Sequence, residues 1–159
     1  MVGASATWFP VAAEGGTTWD RVIAHRPAYA AAFRDVEAAL WGQDVLDPGI
    51  LELCRLRTAQ LLGADGELHG RSPAAAGRVD ESLIDVLAQW PTAPGFSEQQ
   101  RSCLGYAEQV LVDAQGVTDE LAAEIVEAVG EGGFLVLTYA CGFFETTQRA
   151  RLLLEAGER

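Results

Sequence analysis

The chain has 159 residues, 49% of them apolar, and a formal net charge of −12. This length and composition indicate one globular domain. The negative charge argues against binding to nucleic acid or to anionic membranes, because phosphate recognition depends on clustered lysine and arginine. The sequence contains no lysine and no asparagine, which excludes a Schiff-base lysine and a Walker-type phosphate loop.

The segments that could direct the chain to a membrane or hold a metal are absent from the sequence. No apolar run approaches the ~20 residues of a membrane-spanning helix. The start, MVGASATWFP, lacks the charged and apolar regions of a signal peptide, so we expect a cytoplasmic protein. Cys54, Cys103 and Cys141 are widely separated and form no CxxC pair, which predicts three reduced thiols in the core. His25 and His69 are too far apart to indicate a histidine-rich metal site.

The hydrophobic pattern is helical along most of the chain and predicts an all-α bundle of six or seven helices. Residues 1–16 are expected to form an N-terminal arm, and residues 17–159 the helical domain. The longer predicted helices cover residues 27–41, 47–63, 97–115 and 118–129, and a last one includes the apolar run Phe134–Phe144. Shorter ones end at His25, follow Gly63 with a bend or restart at Ser72-Pro73, and cover Glu81–Leu87.

The central helix of this prediction, over 47–63, carries the strongest signals. Asp47 is a good N-cap, and Pro48 suits the first helical position, where a missing N–H costs nothing. The apolar residues that follow are too many for a one-sided surface helix, so we expect burial on most of its circumference. Charged residues on such a helix must be paired or face a cavity. The ionisable residues in and just after this helix are Glu52, Arg55, Arg57, Glu67, His69 and Arg71.

Three segments together resemble the carboxymuconolactone decarboxylase family, which includes the alkylhydroperoxidase D-like proteins. They are LDPGILELCRLRTAQLLG, FSEQQRSCLGYAEQVL and GVTDELAAEIVEAVGEGGFLVLTYACGFFETTQRARLLL, and the likeness covers roughly residues 20–155. The resemblance implies an all-α fold assembled as a dimer, trimer or hexamer. It places the functional site at the junction of the central helix and the next one.

The peroxidase branch of this family uses a CxxC pair, a following histidine and an upstream glutamate that relays protons. Glu52 matches that glutamate, but Ala64 and Glu67 stand where the two cysteines would be. Arg71 stands at the histidine position, and His69 lies two residues before it. A peroxidatic step needs a thiolate at one of these positions, so thiol-peroxidase chemistry of this kind is not expected.

The decarboxylase-like branch works without metal or organic cofactor, by proton transfer on a lactone or keto acid. The resemblance therefore implies a cofactor-independent acid–base enzyme, a decarboxylase or isomerase, acting on a small carbonyl compound. In that hypothesis Glu52, Glu67 and His69 are the catalytic groups. Arg71 and Arg55 bind the substrate anion, since a guanidinium can donate two hydrogen bonds to a carboxylate.

Two other interpretations remain open at this point. Glu52–Arg55 and Glu67–Arg71 have the spacing of intrahelical ion pairs, and His69 could be a hydrogen-bonded residue at a helix junction. In that case the chain would be a non-catalytic oligomeric binding or scaffold protein with the same fold. A weaker alternative is a residual peroxidase acting through Cys54. Both main hypotheses include self-association, because the apolar Phe134–Phe144 helix favours a homo-oligomer.

Overall fold

The computed structural model describes residues 8–12 and 14–155. Within them the chain forms α-helices and single 3₁₀ turns, and the all-α prediction is confirmed. The α-helices are α1 (Thr18–Ile23), α2 (Pro27–Gly42), α3 (Pro48–Leu62), α4 (Glu81–Asp85), α5 (Glu98–Asp113) and α6 (Asp119–Leu154). The 3₁₀ turns are Asp65–Leu68, Pro73–Ala75, Leu87–Gln89 and Ala114–Gly116. None of the helices in these residues is long and apolar enough to cross a membrane.

Helix α3 lies at the centre of the bundle, packed against α5 and α6. It begins as the sequence predicts, because an Asp47 side-chain oxygen accepts a hydrogen bond from the Gly49 amide at 2.6 Å. It ends at Gly63, whose φ of 67° lies in the left-handed region. The expected burial around most of its circumference is confirmed by these α3 residues with little or no exposure: Leu51, Glu52, Leu53, Cys54, Leu56 and Ala59.

Helix α6 consists of two straight segments that meet at Gly130. The φ of 75° and ψ of 167° at this residue are accessible to glycine and strained for any residue with a Cβ. The prediction of one helix ending near Val129 and another containing Phe134–Phe144 is therefore confirmed. We refer to residues 119–129 as α6a and to residues 131–154 as α6b.

The segment after α3 differs from the prediction. The sequence suggested a shorter helix with a bend at Ser72-Pro73, whereas the structure has two separate 3₁₀ turns, Asp65–Leu68 and Pro73–Ala75. Glycines at Gly66 and Gly70 weaken a helix there, and the residue before a proline is driven out of the helical region. The turns leave backbone carbonyls free to be bound by side chains of α3.

The N-terminal arm can be compared with the prediction only in part, because residues 1–7 and 13 lie outside the described residues. Of the remainder, the Pro10 carbonyl oxygen lies 2.8 Å from His25 Nε2, and the Phe9 ring packs edge-on against the His25 ring. The indole N–H of Trp8 donates to the Leu153 carbonyl. These contacts tie the described part of the arm to α1 and to the end of α6b.

Candidate functional site

Glu52 and Arg55 form a closed ion pair inside the bundle. The Glu52 side chain has no exposed surface, and its two carboxylate oxygens lie 2.8 Å from Arg55 Nη2 and 3.0 Å from Arg55 Nε. The Ser72 amide donates to the same carboxylate at 3.3 Å. The intrahelical pair expected from the spacing is therefore confirmed, and its bidentate geometry is the strong form of such a contact.

Arg55 also extends from α3 to the 3₁₀ turn that follows. Its Nη1 donates to both the carboxylate and the backbone carbonyl of Glu67, each at 3.2 Å. Its Nη2 donates to the Gly70 carbonyl at 2.9 Å. One guanidinium thus joins the buried Glu52 to the less buried Glu67 and binds backbone oxygens that have no helical partner.

Glu67 is paired with Arg55 and Arg151, and not with Arg71. One Glu67 carboxylate oxygen accepts from Arg55, and the other accepts a short hydrogen bond from Arg151 on α6b. The expected Glu67–Arg71 pair is wrong, because the spacing of four residues brings side chains together on an α-helix and this segment is not one.

Arg71 points instead towards Glu81 at the start of α4. The Arg71 Nη2 and Nε atoms donate to the two Glu81 carboxylate oxygens at 2.8 and 3.2 Å. This hydrogen bonding raises the pKa of Arg71 and lowers the pKa of Glu81. The guanidinium expected to bind the substrate is thus engaged by another carboxylate, although Arg71 contributes to the rim of a cavity next to Glu67.

His69 is exposed, and in the described part of the chain it has no hydrogen-bond or ion-pair partner. The interpretation of His69 as a hydrogen-bonded junction residue is wrong, and that description fits His25 instead. His69 lies two residues beyond Glu67 in the chain, on the outer side of the same turn.

The Glu67–Arg151 pair lies where three cavities meet. Cavities of about 230, 250 and 390 Å³ all have these two side chains in their walls. Arg55 lines the second and third of them, and the buried Ala64 lines the first. We call the 250 Å³ space the aromatic cavity, because its wall contains the rings of Trp19, Phe33, Trp41, Phe143 and Phe144.

The residues that sequence reasoning missed lie on α6b. The Arg151 side chain is 25% exposed and bound to Glu67. Gln148 is 1% exposed and donates to the Arg55 carbonyl at 2.9 Å. Phe144, Gln148 and Arg151 are spaced by four and three residues, so they share one helix face, and the buried Phe144 was the available signal that this face points inward.

The three cysteines are buried, as predicted. Burial raises the pKa of Cys54 well above its usual value, and raises those of Cys103 and Cys141 to about 11 and about 12. The Cys54 thiol donates to the Cys103 carbonyl at 3.7 Å. A nucleophilic thiol must be accessible and ionised, so this environment argues against the residual peroxidase hypothesis. Within residues 8–12 and 14–155, no cluster of three or more His, Cys, Asp or Glu side chains could hold a metal ion.

The arrangement of helices is shared with known structures. An Agrobacterium tumefaciens protein, described as of unknown function and as a candidate antioxidant defence protein AhpD, superposes with a TM-score of 0.73. The alignment covers 92% of this chain and 99% of the other at 18% identity. The fold is that of the AhpD-like proteins.

A second AhpD-like structure is similar over most of both chains. It is the alkylhydroperoxidase AhpD core of an uncharacterised peroxidase-related protein from Ralstonia eutropha, with a TM-score of 0.60 and 21% identity over 87% of this chain and 75% of that one. No family model matches the chain, and no curated protein does. At these identities the likeness concerns the fold, and the peroxidase-related descriptions apply to those two proteins.

Proposed function

We propose that this protein is an acid–base enzyme that decarboxylates or isomerises a small carbonyl compound, such as a lactone or keto acid, beside Glu67. One observation carries the proposal. The Glu67 carboxylate is held between arginines of α3 and α6b in the shared wall of three cavities. Ionisable groups that converge on a cavity from separate elements are typical of catalytic sites.

In this proposal Glu67 is the group that transfers the proton. For an isomerisation, the Glu67 carboxylate removes a proton from the carbon next to a carbonyl, and the electron pair of that C–H bond moves into the enolate. A guanidinium N–H of Arg151 donates to the enolate oxygen. The Glu67 carboxyl group then returns the proton to a different carbon. For a decarboxylation, loss of CO₂ generates the enolate, and the Glu67 carboxylate relays a proton from water to the enolate carbon.

The other predicted catalytic residues take different parts in the proposal. Glu52 is fully buried and acts through Arg55, whose guanidinium it holds in place beside Glu67. His69, exposed two residues from Glu67, is available as a second proton-transfer group to a substrate that extends out of the cavity. This chemistry requires no metal or organic cofactor. That the reaction uses none remains a prediction.

The test is turnover of a panel of keto acids and lactones by the wild-type chain and by Glu67→Gln. Replacing a general acid–base carboxylate removes roughly a hundredfold to ten-thousandfold of the rate. Glu145→Gln is the matched control, since it removes a carboxylate from an arginine pair outside these cavities. Full activity of Glu67→Gln on a substrate of the wild-type protein would refute the proposed role.

A non-catalytic oligomeric binding protein is the second candidate, and a groove on the outside of the bundle supports the self-association that both candidates share. This apolar groove of about 660 Å³ lies between α2 and α6b and is lined by Val36, Leu40, Leu135, Tyr139 and Phe143, among others. Tyr139 and Leu135 are 73% and 59% exposed. Tyr29 and Val36 on α2 are 53% and 51% exposed.

We propose that a second copy of the chain occupies this apolar groove. Its wall contains no charged residue, although the chain has a net charge of −12, so two copies can approach here without burying like charges. Tyr139→Glu should lower the mass measured by light scattering, and Tyr139→Phe should not. A monomeric wild-type protein would refute this assembly, and an oligomer without turnover on the panel would favour the binding protein over the enzyme.

A further inference from the structure

The wall of the aromatic cavity is a continuous series of rings. Trp19 packs against Phe33 with 5.7 Å between ring centroids, and Phe33 stacks on Phe143 at 5.2 Å. Phe144 continues the series, 6.3 Å from Phe143 and 5.8 Å from Trp41. These rings come from α1, α2 and α6b and hold one another in place. They therefore offer a preformed apolar surface against which a flat molecule can lie.

Two buried side-chain N–H groups in this same wall make no hydrogen bond. The side-chain atoms Trp19 Nε1 and Arg151 Nε are inaccessible and make no hydrogen bond in the described structure. The side chains touch, with Arg151 Cζ 5.6 Å from the centre of the Trp19 ring. Buried N–H groups are nearly always hydrogen-bonded in proteins, and both of these groups can only donate. Among the described residues, Trp19 Nε1 has no acceptor oxygen, and the one beside Arg151 Nε, on Glu155, lies 4.0 Å away, beyond hydrogen-bond distance.

We propose that the aromatic cavity binds a flat, unsaturated monocarboxylate, whose carboxylate oxygens accept hydrogen bonds from Trp19 Nε1 and Arg151 Nε. Its planar body lies against the rings of Trp41 and Phe144. This ligand class deepens the proposed function by naming the kind of substrate. Only the description of the ligand as a substrate rests on that function. Trp19 becomes a specificity-determining residue, and Arg151 binds the anion in the place expected for Arg71.

The charges around the cavity favour a single carboxylate group on the ligand. The wall has three carboxylates and three guanidiniums, and it therefore offers no surplus positive charge to a second carboxylate of the ligand: Asp20, Glu37, Glu67, Arg34, Arg55 and Arg151. Asp20 is itself satisfied, because hydrogen bonds from Thr17 lower its pKa and Arg34 lies 3.4 Å away. The volume of about 250 Å³ is below the usual range of pockets for drug-sized ligands, so the ligand is compact.

The geometry also lets one arginine serve two carboxylates. Arg151 donates from Nη1 to Glu67, while its Nε makes no hydrogen bond and lies 4.0 Å from a Glu155 carboxylate oxygen. A guanidinium has five N–H donors in a fixed plane, so the ligand carboxylate and Glu67 can bind different edges of it. The ligand would thus be anchored next to the group that transfers the proton, without displacing it.

Benzoate is the probe, and the indole N–H signals of the ¹⁵N-labelled full chain report where it binds. The chain has four tryptophans, so Trp19→Phe identifies the Trp19 signal by its loss. Binding of benzoate should move the Trp19 signal downfield, as expected for a new hydrogen bond to a carboxylate. Benzamide, which has the same ring and no charge, should bind at least tenfold more weakly, and so should the non-planar cyclohexanecarboxylate.

Trp19→Phe keeps an aromatic ring and removes one donor. It should weaken benzoate binding by roughly 10- to 100-fold, the worth of a hydrogen bond to a charged group. Trp90→Phe is the matched control, because its indole N–H is bound to Glu108 outside this wall and its loss should leave the Kd unchanged. Trp41→Phe keeps a ring for the ligand to lie against and should weaken binding less than Trp19→Phe does. Arg151→Lys keeps the charge, loses the planar donors and should weaken binding about as much as Trp19→Phe.

The outcomes separate this inference from the proposed function. The inference is overturned if benzoate does not bind at about 20 mM, or if the Trp19 signal does not move on binding. Equal losses in Trp19→Phe and Trp41→Phe would also overturn it. Benzoate binding that depends on Trp19, with no turnover that depends on Glu67, would support the site and refute the enzyme. Turnover that depends on Glu67, with benzoate binding unchanged in Trp19→Phe, would support the enzyme and refute the site.

Discussion

The buried Glu52–Arg55 pair allows a prediction in which one substitution raises or lowers stability depending on whether a second substitution is present. Arg55→Met leaves the Glu52 carboxylate, which has no exposed surface, with the Ser72 amide as its remaining partner. Removing one partner of a buried ion pair costs about 3–5 kcal/mol. Since Arg55 also binds Glu67 and two backbone carbonyls, we expect the upper part of that range.

Glu52→Gln should cost less, about 1–2 kcal/mol, because Arg55 keeps the Glu67 carboxylate and the carbonyls of Glu67 and Gly70. In the Arg55→Met background the same change removes an uncompensated buried charge. There Glu52→Gln should raise the free energy of unfolding by about 1–3 kcal/mol instead of lowering it. The sign of its effect therefore reverses between the two backgrounds.

Urea unfolding followed by tryptophan fluorescence measures all four chains of this cycle, with concentration held constant in case the protein associates. Glu81→Gln in the exposed pair with Arg71 is the control and should change stability by less than about 1 kcal/mol. If Glu52→Gln lowered stability equally with Arg55 present and absent, the two charges would not be each other's main partners. The account of this site given above would then be wrong.

Three further predictions concern the thiols and the glycines of α6. The thiols of the folded chain should not react with a disulfide reagent at pH 8, because burial suppresses ionisation of Cys54, Cys103 and Cys141. All three thiols should react in urea. Labelling of the folded chain would contradict this prediction. Burial raises the pKa of Cys103 from 9.0 to about 11, so its contribution to stability is complete below pH 9 and is lost as the pH rises to 11. Cys103→Ala should flatten that decline in unfolding experiments, and an unchanged slope would refute it. Gly130→Ala should lower the free energy of unfolding by about 1–3 kcal/mol, since Gly130 has a φ of 75°. Gly142→Ala, where an added Cβ meets open space, should raise it by about 0.5–1 kcal/mol. Thermal unfolding measures both variants, and the opposite order would refute the strain at Gly130.

Local sequence signals were sufficient to predict where most of the helices begin and end. Asp47-Pro48 and Gly63 set the ends of α3, and Ser97 with Gln100 forms the capping box that begins α5. Each of these signals acts within a few residues, so the sequence shows them directly. The segment after α3 was mispredicted because Gly66 and Gly70 were not counted against a helix there, and together with Pro73 they favour separate turns.

The candidate site was predictable only on the α3 side. Glu52, Arg55 and Glu67 could be found because they lie in and just after one conspicuous helix. Arg151 is 84 residues from its partner Glu67, and Trp19 lies on another short helix, so no local spacing links either to the site. The tertiary packing of α6b against α3 brings them together. Pairing across such distances depends on which helix faces meet, which a single sequence does not specify.

The walls of the aromatic cavity come from four stretches of chain: residues 17–20, 33–41, 55–67 and 143–151. No one stretch can bind the ligand alone, so the unfolded chain has negligible affinity and binding is coupled to folding of the whole bundle. A ligand at a hundred times its Kd would add about 2.7 kcal/mol to the free energy of unfolding. For a chain of this size that raises the melting temperature by roughly 5–11 °C. A thermal-shift screen of carboxylic acids can therefore find the natural ligand before any reaction is known.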